Sequence, residues 1–471
     1  MTAVFIALLV LVAAVGMIAG RRGGKLDNIE EWGLAGRRFG TLLTWFLIGG
    51  DAYTAYTLLA VPGLVYATGA NGFFAVVYVI LAYPLFYLFM PKLWEAAKRH
   101  GHVTLADFAQ AHFASRELGA AVAFTGVLAT VPYIALQLVG IEVAISALGF
   151  GHSSWPLVGA FVLLAGWDYS SGLRAPASVA VIKDLMVFTV VIAAVAWIPH
   201  RLGGFAHVLA AVPPKMLVLQ PGQYFGFATL ALGSALALLL YPHITISVLS
   251  ASSKRSVERN AVYLQAYNLV LGLIAALGFM AIAAGVHASS SNNAVPMLLT
   301  QMMPGWFAGF CLAAIAIGGL VPAAVMSIAA ASLCTRNLLP GHAGGAGAAK
   351  LISLALKFCA LAFVLWGRPG FMINFQLLGG IWILQTLPTV ALGLWNQRVR
   401  ANALLAGWAA GMITGTAMAW SQGMGALFPV LGWKGYAALW ALAVNGLVVG
   451  IAMAAKQTLP AGAAKQALMT D

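Results

Sequence analysis

The chain has 471 residues, 62% of them hydrophobic and 8% charged, with a mean hydropathy of +0.93. A soluble domain carries roughly 25% charged residues, so this composition excludes an aqueous fold and makes lipid the solvent. The net charge of +13 does not point to nucleic acid, because Lys and Arg sit in short clusters between apolar runs and form no continuous basic stripe.

A helix needs about 20 apolar residues to cross a bilayer core. Thirteen candidate spans follow one another: 2–20, 41–69, 72–91, 117–149, 155–172, 176–198, 222–249, 259–286, 304–335, 350–366, 370–395, 402–420 and 435–455. The first ends in Arg21 and Arg22 with no charged segment before it, and reads as a retained span rather than a cleaved signal peptide. Gly and Pro interrupt several spans, which membrane helices tolerate when neighbours satisfy the freed backbone groups. Loops are short. The 201–221 segment, with Pro213 and Pro214, is expected to be an outer linker with a short surface helix, and 341–349 a flexible inner loop. No segment is long enough for a separate soluble domain. Cys311, Cys334 and Cys359 lie in or beside apolar runs and read as small packing residues, not as a disulfide or zinc framework.

Charge sets the expected orientation. With the N-terminus outside, 19 of the 25 Lys and Arg fall on the inner side. Four fall outside (Arg201, Lys215, Arg368 and Lys434), and Lys183 and Lys357 remain within spans. The positive-inside rule then places the N-terminus outside and the C-terminus in the cytoplasm of a cell membrane, here a bacterial inner or plasma membrane.

The second span carries Gly49-Gly50-Asp51 and, further on, Val61-Pro62-Gly63; the seventh carries Tyr241-Pro242-His243. Helix interruption at similar places in two spans is the sequence pointer to inverted repeats with broken helices around a central site. Ionisable residues within spans are costly and mark pathways or coupling sites. Here they are Asp51, Glu142, Lys183, Asp184, His243 and Lys357. Asp51 lies in a Gly-loosened stretch whose free carbonyls, with the carboxylate, suit a cation. Lys183 and Asp184 point about 100° apart on a helix and are not expected simply to face each other. Lys183 therefore needs a separate partner, as a proton-coupling residue would. His243, beside a Pro kink, suits a proton carrier or a donor to a carboxylate. Lys357 lies near the basic inner end and can snorkel. Glu142, five residues after Gln137, suits a structural hydrogen bond or a substrate contact.

Gly172-Leu173-Arg174-Ala175, Tyr241-Pro242 followed by Leu249-Ser250-Ala251, Ala324-Val325-Met326-Ser327 and Thr104-Leu105-Ala106-Asp107-Phe108 together resemble the sodium:solute symporter family. The segments LTWFLIGGDAYTAYT, GLRAPASVAVIKD, YPHITISVLS, GGLVPAAVMSIAAASLCTRN and GGIWILQTLP are similar to its monocarboxylate permease branch. The resemblance covers nearly the whole chain. It implies an all-α polytopic fold of about 13 transmembrane helices with LeuT-type inverted five-helix repeats. The repeats fall at 41–198 and 222–395, after an extra helix and inner loop (1–40), around an outer linker (199–221), and before two C-terminal helices and a tail (396–471).

It also implies a cation site made by the carbonyls of Gly50, Tyr53 and Ala324 and the hydroxyl of Ser327. Two positions depart from that pattern. Ile328 stands where the family has a second Ser or Thr, and Ala180 where it has an Asp; Lys183 lies one turn from Ala180. Some proton-coupled relatives of the LeuT fold place a lysine amine on this helix in place of sodium. The expected function is a secondary active transporter importing small monocarboxylates such as lactate, pyruvate or acetate, with proton or sodium as coupling ion and no cofactor. Tyr56, Thr57, His243, Gln137 and Gln385 are the substrate-binding candidates, and Asp51 and Lys183 the coupling candidates. The charged Lys183 is expected to bridge the Gly50 and Tyr53 carbonyls to Ser327. The rival within transport is a sodium-coupled symporter of another small solute such as an amino acid. A membrane enzyme would need a dyad at one depth, for which Asp51 and His243 are the only pair. No Walker loop, HExxH or GxSxG is present.

Overall fold

The structure, a computed structural model, describes residues 1–21, 26–150, 169–339, 345–366, 372–395 and 399–455, and isolated positions between 158 and 166. Ten helices among the described residues are long and apolar enough to cross a membrane, or up to eleven when a bent pair is joined. Each expected span except 155–172 has a helical counterpart; that one falls mostly outside the described residues. So do residues 341–344 of the expected inner loop, whose remainder from Ala346 on is already helical, and Arg22, Lys25, Arg368, Arg398, Lys456 and Lys465 of the charge count.

The elements run α1 (Thr2–Arg21), α2 (Ile29–Leu34), α3 (Thr41–Ala52), α4 (Val61–Thr68), α5 (Phe74–His100), α6 (Leu105–Phe113), α7 (Arg116–Ile145) and α8 (Arg174–Arg201). After two short helices at Phe205–Ala211 and Pro214–Leu217 come α9 (Tyr224–Leu238), α10 (Pro242–Leu249), α11 (Lys254–Tyr263), α12 (Gln265–Ala283) and, past Ala294–Met302, α13 (Gly305–Leu333). The chain ends with α14 (Ala346–Trp366), α15 (Met372–Ile383), α16 (Leu387–Trp395), α17 (Ala401–Ser421), a hairpin of β1 (Leu427–Val430) and β2 (Trp433–Tyr436), and α18 (Ala437–Ala454). The hairpin was not expected: residues 421–434, between the last two expected spans, read only as a loop.

At the centre stands α13, whose membrane-length window is wholly buried. It packs on α7, α8, α10 and α14. Its sequence is dominated by Ala and Gly, and small residues are what allow helix backbones to approach closely in lipid. A Cβ on Gly319 would press on the Gln137 carbonyl and the Ile141 side chain of α7. Both interrupted spans lean on this column: α3 and α10 each contact α13 and each other.

One end of the bundle is closed by polar clasps. Glu31 of α2 pairs with both Arg38 and Arg174, and Arg336 pairs with Asp107 at 2.8 Å. Asp107 also forms a capping box with Thr104 that starts α6. Arg37 is buried, donating to the carbonyls of Leu249 and His102 and pairing with Glu30 at 2.8 Å. Phe39 forms a parallel bridge with Ala251, fixing the entrance of α3 to the end of α10. Burial holds the His102 imidazole below its ordinary range, so it stays neutral in this cation-rich layer.

Arg37 and its neighbour separate two kinds of ion pair. Replacing Arg37 leaves buried carbonyls unpaired, so Arg37→Ala is expected to destabilise by about 2–4 kcal/mol. Arg38, whose side chain is 64% exposed, is expected to cost about 0–1 kcal/mol as Arg38→Ala. Thermal melts of the purified detergent-solubilised variants check the ranking.

Candidate functional site: two broken helices and a buried lysine

The first break lies between α3 and α4. Tyr53 leaves the helical region at φ −95°, ψ 83°, and Tyr56–Ala60 wind as a π-helix before α4. The amides that would have closed the α-helical ladder go elsewhere. Thr54 N–H donates to Thr57 Oγ1 at 2.8 Å, Ala55 N–H to Gln137 Oε1 at 3.1 Å, and Tyr56 N–H to Thr54 Oγ1 at 3.0 Å. An α-helix would have used Thr54 N–H on the Gly50 carbonyl. That carbonyl, and the one of Tyr53, are left facing α8.

Lys183 of α8 takes both. Its Nζ donates to Gly50 O at 2.7 Å and Tyr53 O at 2.8 Å, with its side chain fully buried. Nζ also lies 2.7 Å from Asp184 Oδ1. This corrects the expectation that the two neighbours do not face each other. Their Cβ atoms do diverge, but the lysine's four methylenes curl its end back to the carboxylate. Tyr267 of α12 fixes that carboxylate by donating to Asp184 Oδ2 at 2.7 Å, and the Tyr53 hydroxyl donates to the Tyr267 carbonyl. The glycines are required for this closeness. A Cβ on Gly49 would fall inside the Tyr267 ring, and one on Gly50 would sit 3.2 Å from Lys183 Nζ.

The second break has a different cause. Pro242 opens α10 with no N–H to give, and it holds Tyr241 in an extended conformation (φ −61°, ψ 135°). The path bends by 44° between the segment ending at α9 and α10. Along α10, Ser247 donates to Asp51 Oδ2 at 2.8 Å, so the two broken helices are tied to each other. His243 is fully buried beside Tyr133 and Tyr241, with ring centroids 5.3 Å away in each case. Asp51 and His243 form no hydrogen-bonded dyad.

Among the described residues, several buried polar atoms near these breaks have no hydrogen-bond partner: both ring nitrogens of His243, Gln137 Nε2, Asp51 Oδ1 and Gln376 Oε1. Leaving such atoms unpaired is costly, and each is a contact offered to a polar guest. The phenols of Tyr56, Tyr78, Tyr133, Tyr241 and Tyr436 neighbour one another around them, and Tyr241 donates to the Gln376 carbonyl at 2.9 Å.

The remaining candidates lie as follows. Thr57 is used in the first break, donating to Thr54 O at 2.9 Å. Ser327 donates to the Ala324 carbonyl within α13 at 2.9 Å. Gln385 is not among the side chains at the breaks. It is held by Ile381 O, Ala438 O and Asn445, binding the end of α15 to α18. Lys357 does not snorkel; it is buried and donates to Ser353 at 2.8 Å. Glu142 is half-buried near the end of α7. Sequence reasoning named Asp184 only as one of the ionisable residues within spans, and did not single out Tyr267, Gln376 or Tyr436. Gln376 alone carried a signal, as an amide inside an apolar run four residues before Gly380.

Two helices broken at a common level around a buried cationic group define a polytopic transporter of the LeuT type. The sodium:solute symporter family profile matches residues 32–338, and the chain belongs to that family. It is 48% identical to a monocarboxylate transport permease protein of Rhizobium johnstonii, over 98% of this chain and 97% of that one. It is 34% identical to the uncharacterized symporter YodF of Bacillus subtilis, over 93% and 90%. Its fold is similar to that of a Na+-coupled sialic acid symporter solved in a substrate-bound outward-open state, with a TM-score of 0.77, 15% identity and coverage of 96% and 95%.

The buried ion pair has a stability signature. Asp184→Ala leaves the Lys183 ammonium without its counter-ion and is expected to cost about 3–5 kcal/mol. The double change Lys183→Met with Asp184→Leu removes the unpaired charge and is expected to recover only part of that loss, because the Gly50 and Tyr53 carbonyls and the Tyr267 hydroxyl then lack partners. Thermal melts of the single and double variants in one detergent decide it.

Proposed function

We propose that this protein is a proton-coupled symporter importing small monocarboxylates such as lactate, pyruvate or acetate, with its N-terminus outside and its basic, clasped end in the cytoplasm. The observation that carries the coupling is the Lys183 ammonium seated on the Gly50 and Tyr53 carbonyls. A bound cation there would hold the first broken helix to α8, and the protonated amine makes those same contacts.

In this reading the proton rides on Lys183. With the amine protonated, α3, α8 and α12 are joined through Gly50, Tyr53, Asp184 and Tyr267. Loss of the proton to water on the cytoplasmic side weakens the contacts to both carbonyls and favours inward opening, so the differential affinity of two states for the proton drives the cycle. One proton entering with one carboxylate is electrically neutral. The similarity to a monocarboxylate transport permease protein supports the substrate class. So do the unpaired donors near the breaks: Gln137 Nε2 and a His243 ring nitrogen can both donate to a carboxylate, while the tyrosine ring faces suit a short apolar tail. Transport alone, with no catalysis, accounts for these groups.

Two measurements test the reading. Uptake of labelled lactate into proteoliposomes is expected to follow an imposed proton gradient in sodium-free buffer, and Lys183→Ala to lose that dependence. Strict sodium stimulation with an indifferent Lys183→Ala variant would favour instead a sodium site built on the Gly50, Tyr53 and Ala324 carbonyls and Ser327. Separately, His243→Ala is expected to raise the half-saturation concentration about tenfold or more, the loss of one hydrogen bond to a charged group being worth about 1.5–3 kcal/mol. An unchanged affinity and pH profile would make His243 a packing residue.

A further inference from the structure

We propose that the β1–β2 hairpin carries a peripheral carboxylate-collecting site, in which Lys434 with Asn71, Asn374 and Gln422 holds the anionic solute at the mouth of the path to Tyr56. The inference rests on the monocarboxylate reading and deepens it by adding a first stop for the substrate.

A cavity of about 320 Å³ opens at the end of the bundle opposite the clasps, lined by those four residues over an apolar floor that includes Phe74 and Leu377. The position of Lys434 follows from strand geometry. Residues two apart on a strand share a face, and Tyr436 is the residue two after Lys434. Tyr436 is buried and donates to the Leu377 carbonyl at 2.6 Å. The helix that holds Leu377, α15, packs on the Tyr56–Ala60 segment of the first break. The same strand face thus runs from a cation at the cavity to a phenol bonded to the helix that packs on the first break.

The hairpin is braced where a loop would sway. Tyr436 N–H donates to Thr229 Oγ1 at 3.0 Å, Ala437 N–H to the Ala426 carbonyl at 2.9 Å, and the rings of Phe225 and Trp433 lie 5.3 Å apart. Lys434 is therefore held beside the opening and is exposed. No ion-pair partner claims it among the described residues.

The charge pattern of the chain gives the site its sign. Of the twelve Asp and Glu, only Glu142 falls near this end in the span order, against the cations Arg201, Lys215, Arg368 and Lys434. This mouth is net positive even though the opposite end holds most of the Lys and Arg. A positive mouth raises the local concentration of a small anion and its rate of entry, and added salt screens the effect. An exposed ammonium flanked by amides binds weakly and releases quickly, as a way station requires.

The test measures initial uptake of labelled L-lactate against concentration in proteoliposomes holding the full chain. Wild type, Lys434→Arg, Lys434→Gln and Lys434→Glu are compared at low ionic strength and again with high choline chloride. The expected result is a half-saturation concentration raised about three- to tenfold by Gln and further by Glu, kept by Arg, at an unchanged maximal rate, with the differences shrinking in high salt. Equal half-saturation in all four proteins at low salt overturns the inference. So does a fall in maximal rate that persists in high salt, which would make the hairpin a brace and nothing more. A wild-type protein that accumulates lactate while its variants are indifferent sinks only the collecting site. A wild type that accumulates none of lactate, pyruvate or acetate under any imposed gradient overturns the substrate reading and this inference together.

Discussion

Everything at the centre of this protein depends on where three backbone amides go. A spanning segment in lipid must satisfy each of its polar groups internally. The segment Tyr53–Thr57 does so with side chains: Thr57, Gln137 and Thr54 accept the three N–H groups that a continuous helix would have used. The Gly50 carbonyl is then left without its helical donor, and together with the Tyr53 carbonyl at the break it takes a positive group. Lys183 supplies it, Asp184 balances it, and Tyr267 orients Asp184. Each step forces the next, and the pair Gly49-Gly50 permits the chain of contacts by leaving room for Tyr267 and the ammonium.

The two breaks are alike in position but not in chemistry. The first is stabilised by side chains that accept amides; the second by a proline that has no amide to satisfy. Only the first therefore exposes carbonyls to a cation, while the second presents a histidine among phenols. The Ser247–Asp51 hydrogen bond joins them, so a shift of one broken helix is felt by the other. At the clasped end, Phe39 and Ala251 make a second tie between the same two spans, and Arg37 adds a third through the Leu249 carbonyl.

The fold was legible because its signals are long. Runs of apolar residues, and Gly and Pro inside two of them, are statistics over many residues. The site was legible in part, through residues that are expensive where they stand: Asp51, Lys183 and His243 are ionisable groups in an apolar stretch. Partners that are cheap in such a stretch gave no such signal. Tyr267 and Tyr436 are ordinary membrane-helix aromatics until the packing brings their hydroxyls to Asp184 and Leu377. Gln385 misled for the complementary reason. A buried amide promises a polar contact, but sequence cannot say whether that contact is a solute or, as here, the backbone and side chain of a neighbouring helix. The Lys183–Asp184 contact was missed because helical angles describe Cβ directions, and a lysine's functional atom lies four further bonds away.

The family profile ends at residue 338, yet Tyr436, far beyond it, places its hydroxyl against Gly380 and the Leu377 carbonyl and its ring against Gly233. The last two helices are thus more than an outer wrapping. The hairpin between them seats one tyrosine in the bundle, between α9 and α15. A version of this protein cut down to its two repeats would keep both broken helices and the buried ion pair and would lose the stopper above them. The packing around the second repeat is thus completed by a residue that lies outside the family profile but within the stretch shared with the full-length relatives.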